Sequence, residues 1–295
     1  MPRRPGRRVA ARTRGGPAVA RLLILPAALW YGVFLLAPLA ILVIVSVGER
    51  AANGGYTPAV TLEQYQNLAT RLTPFLNTIV LAFWGTIGCL LVAYPLAYSL
   101  ATRGGSLKTA LMALIVIPLW TSFLIRTYAW MFILGSNGLP SVLRSLGFGD
   151  VQLLNTPFAV VLGIVYNYLP LMALPIYVSL ERLDRSLLEA SRDLGAGTFA
   201  TFRQITLPLS APGVISGCLL VFIPVMGEYL IPVLLGGGKT YFLGNALADL
   251  FLQSRNWPFG SALATAFIVV MVVVVAVYTW LTRRITAAGR QAALL

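Results

Sequence analysis

The stretch Glu181-Arg-Leu-Asp-Arg-Ser-Leu-Leu-Glu-Ala-Ser-Arg-Asp-Leu-Gly195 is a polar run that separates two long apolar segments of the chain. Within it Leu183, Leu187 and Leu194 recur at helical spacing, so one face of the predicted helix is apolar and charged residues occupy the others. This pattern alone leaves two interpretations open. The helix either rests on a membrane surface as an amphipathic connector or offers a docking face to a soluble partner.

The ends of this predicted helix carry recognisable signals. Ser186-x-x-Glu189 has the spacing of a capping box, in which each side chain satisfies the backbone N–H of the other residue. Gly195 supplies a left-handed residue that ends the helix. A second short helix is predicted from Thr198 to Ile205, and it should end before Pro208 because proline interrupts helical hydrogen bonding.

The composition on either side of this run is that of a membrane protein. Of the 295 residues, 58% are hydrophobic and 11% are charged, and the mean hydropathy is +0.82. Soluble domains carry about 25% charged residues, and a membrane-spanning helix needs about 20 apolar residues. The sequence predicts an all-α integral membrane protein whose membrane domain, residues 22–282, has six transmembrane helices at 22–47, 75–101, 108–134, 157–180, 211–235 and 259–282.

The distribution of positive charge predicts the orientation. Sixteen Lys and Arg fall in the set of segments formed by residues 1–21, 102–108, 181–210 and 283–295, and five fall in the alternate set. Cytoplasmic segments carry the excess of Lys and Arg, so both termini and the 181–210 loop are predicted to be cytoplasmic. We interpret the basic tail 1–21 as a disordered segment near anionic membrane lipid, and not as an arm that binds nucleic acid.

No catalytic or metal site is predicted on this chain. Gly238-Lys239-Thr240 ends like a phosphate-binding loop, but the first glycine of that motif would fall at Val233, so we predict a glycine-rich turn. The chain has no histidine, which excludes a histidine general base and a histidine metal ligand. Its two cysteines, Cys89 and Cys218, lie far apart in predicted spans and form no metal motif.

Two charged residues, Arg126 and Glu228, fall inside predicted spans, where a charge costs at least about 2.5 kcal/mol. Both lie five positions beyond the midpoints of spans that run in the same direction, about 7.5 Å from the centre. One interpretation is an ion pair between the two residues, or a polar network that they share, which fixes the packing of these spans. The other is that Glu228 lines a path and attracts an ammonium group, with Pro224, Gly227 and Pro232 loosening the surrounding helix.

Aromatic and amide side chains near these charges are candidate pathway residues. An aromatic face attracts a cation by about 0.5 to 2 kcal/mol, but aromatic residues also form interfacial belts and pack helices. Asn167 lies near the middle of the fourth span and is a further polar candidate. The aromatic candidates are Trp120, Tyr128, Trp130, Tyr166, Tyr168 and Tyr229.

The polar loop also carries a resemblance to a known family. Glu189-Ala190-Ser191, three residues, Gly195, nine residues and Ile205-x-Leu207-Pro208 resembles the E-A-A-x3-G-x9-I-x-L-P loop of permease subunits of type I ATP-binding-cassette importers, with Ser191 as the departure. The resemblance implies the MetI-like permease fold and a coupling helix that docks in a groove of a cytoplasmic ATPase. The implied coupling residues are Arg185, Glu189, Ala190, Arg192, Gly195, Ile205, Leu207 and Pro208.

Three further stretches are similar to spermidine/putrescine-type permeases. They are Pro118-Leu-Trp120-Thr-Ser-Phe-Leu-Ile-Arg126-Thr-Tyr128-Ala-Trp130, Gly227-Glu228-Tyr229-Leu-Ile-Pro232, and Asn256-Trp257-Pro258-Phe259-Gly260. The resemblance implies import of a small cationic solute across a bacterial inner membrane. Val233 departs from the acidic residue that usually follows Ile-Pro in that subfamily, so another small cation or an amino-acid-like solute stays open as the substrate.

The family resemblance also implies the partners. These are a dimer of cytoplasmic ATPases that carries ATP and Mg²⁺, a second and similar permease that completes a heterodimer, and an extracytoplasmic solute-binding protein. The chain itself is expected to hold no cofactor and to catalyse no reaction. Two other classes remain open from the sequence, namely a secondary transporter or cation channel that works without an ATPase, and a membrane anchor or signalling subunit that transports nothing.

Overall fold

The computed structural model describes residues 17–102 and 106–292, and this part of the chain is almost entirely helical. A short antiparallel hairpin pairs β1 (Glu49–Arg50) with β2 (Tyr56–Thr57). We call the end of the molecule with this hairpin the hairpin end, and the end with residues 181–210 the loop end. The helices are α1 (Pro17–Tyr31), α2 (Ala37–Ser46), α3 (Glu63–Gln66), α4 (Leu72–Thr102), α5 (Ser106–Trp120), α6 (Phe123–Leu134), α7 (Leu139–Ser145), α8 (Pro157–Glu181), α9 (Arg185–Asp193), α10 (Thr198–Thr201), α11 (Leu207–Met226), α12 (Leu230–Gly236), α13 (Leu243–Ala248) and α14 (Trp257–Ala292).

The core is formed by α4, α8 and α11, which pack against one another along most of their length. Small residues allow the backbones to approach closely, as is common between membrane helices. A Cβ atom placed on Gly213 of α11 would lie 2.6 Å from the Pro175 carbonyl oxygen of α8, and one on Gly217 would lie 2.9 Å from the Met172 carbonyl oxygen. The helices therefore meet at a distance that excludes larger side chains at these two positions.

Five helices of the described chain are long and apolar enough to cross a membrane, and a bent helix pair raises the number to six. The predicted number of spans agrees with this finding. Helix α1 begins at Pro17, inside the predicted N-terminal tail 1–21, and residues 1–16 lie outside the described part. The last span is continuous with a helix that runs to Ala292, so most of the segment 283–295 extends it. The five single helices are Ile24–Ser46, Leu72–Thr102, Pro157–Glu181, Thr198–Met226 and Trp257–Trp280.

The predicted third span, 108–134, is not one straight helix. It bends by 104° between Trp120 and Phe123. The Pro118 carbonyl accepts hydrogen bonds from the Thr121 backbone N–H (3.2 Å) and the Thr121 hydroxyl (2.8 Å). Such local bonds compete with the next α-helical bond, and Ser122 then turns to an extended conformation at ψ 135°. Proline followed by a local threonine bond thus explains the break that the hydropathy pattern did not reveal.

The predicted fifth span, 211–235, differs at both ends. The helix is continuous from Thr198 to Met226, so Pro208 does not end the second short helix. A π-helical turn over Phe202–Thr206 precedes the proline, and such turns let a helix continue past a local disturbance. At the other end the helix stops at Met226, and residues 227–229 separate it from α12. The sequence predicted that Gly227 would loosen the helix, and the structure has a complete break in the helix at this residue.

The first span lies on the outside of the bundle. Among residues 24–46, Ser46 is the one buried residue, and the span packs chiefly against α14. The Ser46 hydroxyl is hydrogen-bonded to the Tyr65 hydroxyl at 2.7 Å, which fixes the hairpin end of this span. Most of its apolar surface is uncovered by the described part of the chain.

Candidate functional site

Helix α9 begins two residues earlier than the predicted capping box requires. Asp184 is the N-cap, and its carboxylate accepts a hydrogen bond from the Ser186 backbone N–H at 2.9 Å. This bond holds the pKa of Asp184 below its ordinary value, so the cap is present at neutral pH and weakens as the pH falls through that lowered pKa. The Ser186–Glu189 box was therefore wrong, although the Asp-x-Ser spacing itself could have identified the cap.

Gly195 ends α9 in the left-handed conformation that the sequence predicted, with φ +82°. Its N–H donates to the Arg192 carbonyl at 2.8 Å. A Cβ atom at Gly195 would meet no atom of this chain within 4 Å, so the space beside it is open. Ser191, the departure from the family pattern, is hydrogen-bonded to the Thr201 hydroxyl at 3.0 Å and ties α9 to α10.

The outward face of α9 is uncovered by this chain. None of its residues is buried, and Leu194 just beyond it is 89% exposed. In the described structure, the two ion pairs are Lys108–Glu181 and Arg144–Asp150, so the charged groups of α9 remain unpaired there. Arg185, Glu189, Ala190, Arg192, Gly195, Leu207 and Pro208 are exposed, and Ile205 is half-buried.

Aromatic packing connects the loop to the core helix α4. The Phe202 ring lies edge-on between Tyr94 and Tyr98 of α4, with both centroid distances 5.8 Å. The Tyr94 hydroxyl is also hydrogen-bonded to the Ser210 hydroxyl at 2.9 Å. Residues 198–210 therefore contact α4 and are continuous with α11.

An ion pair connects the loop end of α8 to α5. The Lys108 ammonium group lies 2.6 Å from the Glu181 carboxylate and 5.4 Å from the centre of the Tyr177 ring. Both charged side chains are partly exposed, so the pair contributes little to stability. Its geometric role is to hold the start of the bent third span beside the polar loop.

Glu228 lies in the break between α11 and α12 and is 8% exposed. One carboxylate oxygen accepts from the backbone N–H groups of Leu230 (2.9 Å) and Ile231 (3.2 Å), and the other accepts from the Tyr168 hydroxyl at 2.5 Å. The carboxylate thus satisfies the first N–H groups of α12, which would otherwise be unpaired. This local role of Glu228 was not foreseen from the sequence.

The predicted ion pair between Arg126 and Glu228 is not formed. Neither residue belongs to the ion pairs of the described structure, and the Nε and Nη1 atoms of Arg126 are buried without a hydrogen-bond partner. The prediction placed both residues at one level by assuming a straight third span. The 104° bend removes that geometry, and backbone N–H groups and a tyrosine occupy the Glu228 carboxylate instead.

A row of aromatic contacts nevertheless connects the two charges. The Arg126 guanidinium carbon is 5.9 Å from the Phe123 ring centre, and that ring is 6.3 Å from the Tyr168 ring, whose hydroxyl reaches Glu228. Phe123 was not among the predicted candidates, although it lies three positions before Arg126 on the same helix. The row brings α6, α8 and the α11–α12 break together.

The remaining pathway candidates divide into exposed and packed groups. Trp130 and Tyr166 form an edge-on pair with centroids 5.4 Å apart. Asn167 is buried, its amide donates to the Gly163 carbonyl at 2.9 Å within α8, and its Oδ1 atom has no hydrogen-bond partner among the described residues. Trp120, Tyr128 and Tyr229 are exposed.

Comparisons with known proteins agree with this architecture. Residues 93–287 match the family described as binding-protein-dependent transport system inner membrane component. The chain is 41% identical over 254 residues to the spermidine/putrescine transport system permease protein PotB of Haemophilus influenzae, covering 84% of this chain and 89% of that protein. It is 40% identical over 230 residues to the PotB protein of Escherichia coli K12, covering 76% and 83%.

Solved structures show the same fold at low sequence identity. A bacterial ABC transporter that imports the acidic polysaccharide alginate is similar with a TM-score of 0.75 at 18% identity, covering 91% of this chain and 96% of that chain. The MetNI methionine ABC transporter in an inward-facing conformation is similar with a TM-score of 0.56 at 17% identity, covering 72% and 95%.

The fold and the exposed loop define the class of a membrane-spanning permease subunit, and this chain belongs to the family of binding-protein-dependent transport system inner membrane components. It is a non-catalytic transport subunit of an ABC importer in the inner membrane. The predicted family, the six-span permease fold and the location are confirmed. The two relatives named above are both spermidine/putrescine transport system permeases.

Proposed function

We propose that this chain moves spermidine and putrescine into the cytoplasm as one permease of an ATP-driven importer. The observation that carries the proposal is 41% identity over most of the chain to a spermidine/putrescine permease. A buried carboxylate at the α11–α12 break accepts from the Tyr168 hydroxyl, and the Phe123 ring packs against the Tyr168 ring. This arrangement suits a polyamine, because carboxylates and aromatic faces both attract ammonium groups. Val233, the departure from the subfamily pattern, lies half-buried in α12 and is compatible with this role.

The proposed ATPase partner explains the exposed face of α9. Arg185, Glu189 and Arg192 are charged and without ion-pair partners in the described residues, and Leu194 is uncovered. A groove on a cytoplasmic ATPase dimer would pair these charges and cover the leucine. ATP and Mg²⁺ would bind to that partner, and the positive charge of the loop-end segments supports a cytoplasmic position for them.

A second, similar permease is proposed to complete the transport path. Support comes from the first span, which exposes nearly all of its apolar surface, and from Trp120 and Phe132 at 83% and 77% exposure on the bent third span. An extracytoplasmic solute-binding protein would deliver the substrate at the hairpin end.

The transmission of motion follows from the contacts of the loop. Closure of the ATPase dimer would displace α9 and α10, and Phe202 would carry that displacement to α4. The continuous helix Thr198–Met226 would carry it towards the break at Glu228. The Glu228 carboxylate lies between this continuous helix and the separate helix α12. This arrangement would allow the two sides of the substrate path to move relative to each other.

The decisive experiment is ATP hydrolysis by the complex purified through this chain, reconstituted in lipid with its binding protein. Spermidine or putrescine should stimulate hydrolysis and drive uptake, whereas an amino acid of similar length should not. ATPase activity that ignores polyamines would retain the importer class and refute the proposed substrate. Uptake by this chain without any ATPase would instead indicate a secondary transporter.

A further inference from the structure

A groove with apolar walls runs along the outside of α4 and α8 towards the hairpin end. Its volume of about 800 Å³ falls within the range of small-molecule sites, about 300 to 1,000 Å³. The walls include Val80, Trp84, Leu91 and Phe158, all of which are exposed in this chain. The groove therefore offers an apolar surface that the rest of the described chain leaves open.

The mouth of the groove is polar and carries one positive charge. Gly237 and Gly238 both adopt left-handed backbone angles, φ +63° and +69°, so the chain turns sharply after α12 and brings Lys239 to the rim. Lys239 is exposed, and it takes part in neither of the ion pairs found in residues 17–102 and 106–292. The polar residues of the mouth are Asn77, Asn155, Thr156, Lys239 and Thr240.

The length of the groove corresponds to one leaflet of a bilayer. Asn77 at the mouth and Leu91 at the far end are both on α4, fourteen positions apart, which is about 21 Å at about 1.5 Å per residue. A bilayer with its head-group regions is about 40 to 45 Å thick, so one leaflet is about 20 to 22 Å. The groove thus reaches from the level of lipid head groups to the far side of one leaflet.

We propose that this groove binds an anionic phospholipid of the leaflet at the hairpin end. An acyl chain would lie against Trp84 and Leu91, and the phosphate would lie beside Lys239. Among the described residues that line the groove, Lys239 is the one that carries a charge. The groove thus matches an anionic phospholipid, because it has one cation at the head-group end and apolar side chains below it. The proposal is independent of which solute the importer carries.

Native mass spectrometry of the assembled complex tests the proposal. The complex is reconstituted in nanodiscs that contain equal amounts of phosphatidylglycerol and phosphatidylethanolamine, and the lipids that remain bound after release are counted. Wild-type complex should retain phosphatidylglycerol preferentially. Lys239→Gln should lower that preference about fivefold, as expected for one lysine near an anionic lipid, and Val161→Trp should fill the groove and lower the retention of both lipids.

Two control variants separate the site from general effects. Arg255→Gln removes an exposed positive charge beside the hairpin that is in neither ion pair of the described residues and lies outside the groove. Val272→Trp adds an indole to an exposed position of α14. Both should retain phosphatidylglycerol like the wild type. An unchanged lipid ratio in Lys239→Gln would overturn the proposal. A photo-crosslinker at Leu91 that captures the second permease instead of lipid would also overturn it, because the groove would then be a protein interface.

Discussion

The Tyr168 hydroxyl donates a hydrogen bond of 2.5 Å to the Glu228 carboxylate, joining the middle of α8 to the break between α11 and α12. The same carboxylate accepts two backbone N–H groups of α12. One side chain therefore connects three elements at the point where the fifth span is interrupted. Glu228 therefore has a structural role that does not depend on substrate, and this role can be tested separately from transport.

Tyr168→Phe is predicted to destabilise the permease without changing its substrate preference. The substitution leaves one carboxylate oxygen of Glu228 without its donor in a buried position, which costs about 1 to 3 kcal/mol. The melting temperature of the purified complex, followed by intrinsic fluorescence, should fall by several degrees. Tyr166→Phe, two positions away and partly exposed, is the matched control and should melt like the wild type. Equal melting of both variants would show that the hydrogen bond contributes nothing.

Glu228→Gln is predicted to reduce polyamine uptake about tenfold, corresponding to about 1.4 kcal/mol, while the yield of assembled complex stays the same. Glutamine keeps the size of the side chain and one oxygen that can accept the N–H groups of α12, but it removes the negative charge. Uptake is measured in proteoliposomes with saturating ATP across a range of polyamine concentrations. Uptake at the wild-type level would show that the role of Glu228 is limited to capping α12.

Gly195 substitutions separate backbone strain from contact with the ATPase. Alanine at φ +82° costs about 1 to 2 kcal/mol but meets no atom of this chain within 4 Å, so Gly195→Ala should retain most ATP-dependent uptake. Gly195→Arg carries the same strain and adds a long, charged side chain that a docked subunit would have to accommodate. We expect the arginine variant to lose co-purifying ATPase. If both variants behave alike, the docking role of this loop is incorrect.

Gly213→Ala is predicted to force α8 and α11 apart. The new Cβ would lie 2.6 Å from the Pro175 carbonyl oxygen, a backbone atom that cannot rotate away. Overpacking of this kind costs about 1 to 3 kcal/mol, and thermal melting of the complex should report the loss. Gly32→Ala serves as the control, because a Cβ there meets nothing within 4 Å, and its melting temperature should not fall. A stable Gly213→Ala protein would mean that the helix contact is loose.

The local features of the loop were largely predictable from sequence. The amphipathic pattern of residues 185–193 and the glycine at 195 each depend on chain neighbours alone, and both agree with the structure. The predicted capping box was wrong because Asp184 and Ser186, two polar residues close together, can each cap the first turn of α9. The sequence alone does not decide whether Asp184 or Ser186 caps the helix, because the choice depends on the geometry of the loop before α9.

The sequence by itself determined the membrane class, six spans, the helical loop and the glycine-rich turn at 237–238, because hydropathy, periodicity and left-handed glycine are local properties. Tertiary structure decided the 104° bend after Trp120, the break at Glu228 and the partner of its carboxylate. A buried charge accepts whichever donors the packed helices bring near it, so its partner follows from their bends and not from their hydropathy. For this reason Glu228 contacts Tyr168 and the backbone of α12, and the guanidinium of Arg126 lies two aromatic rings away.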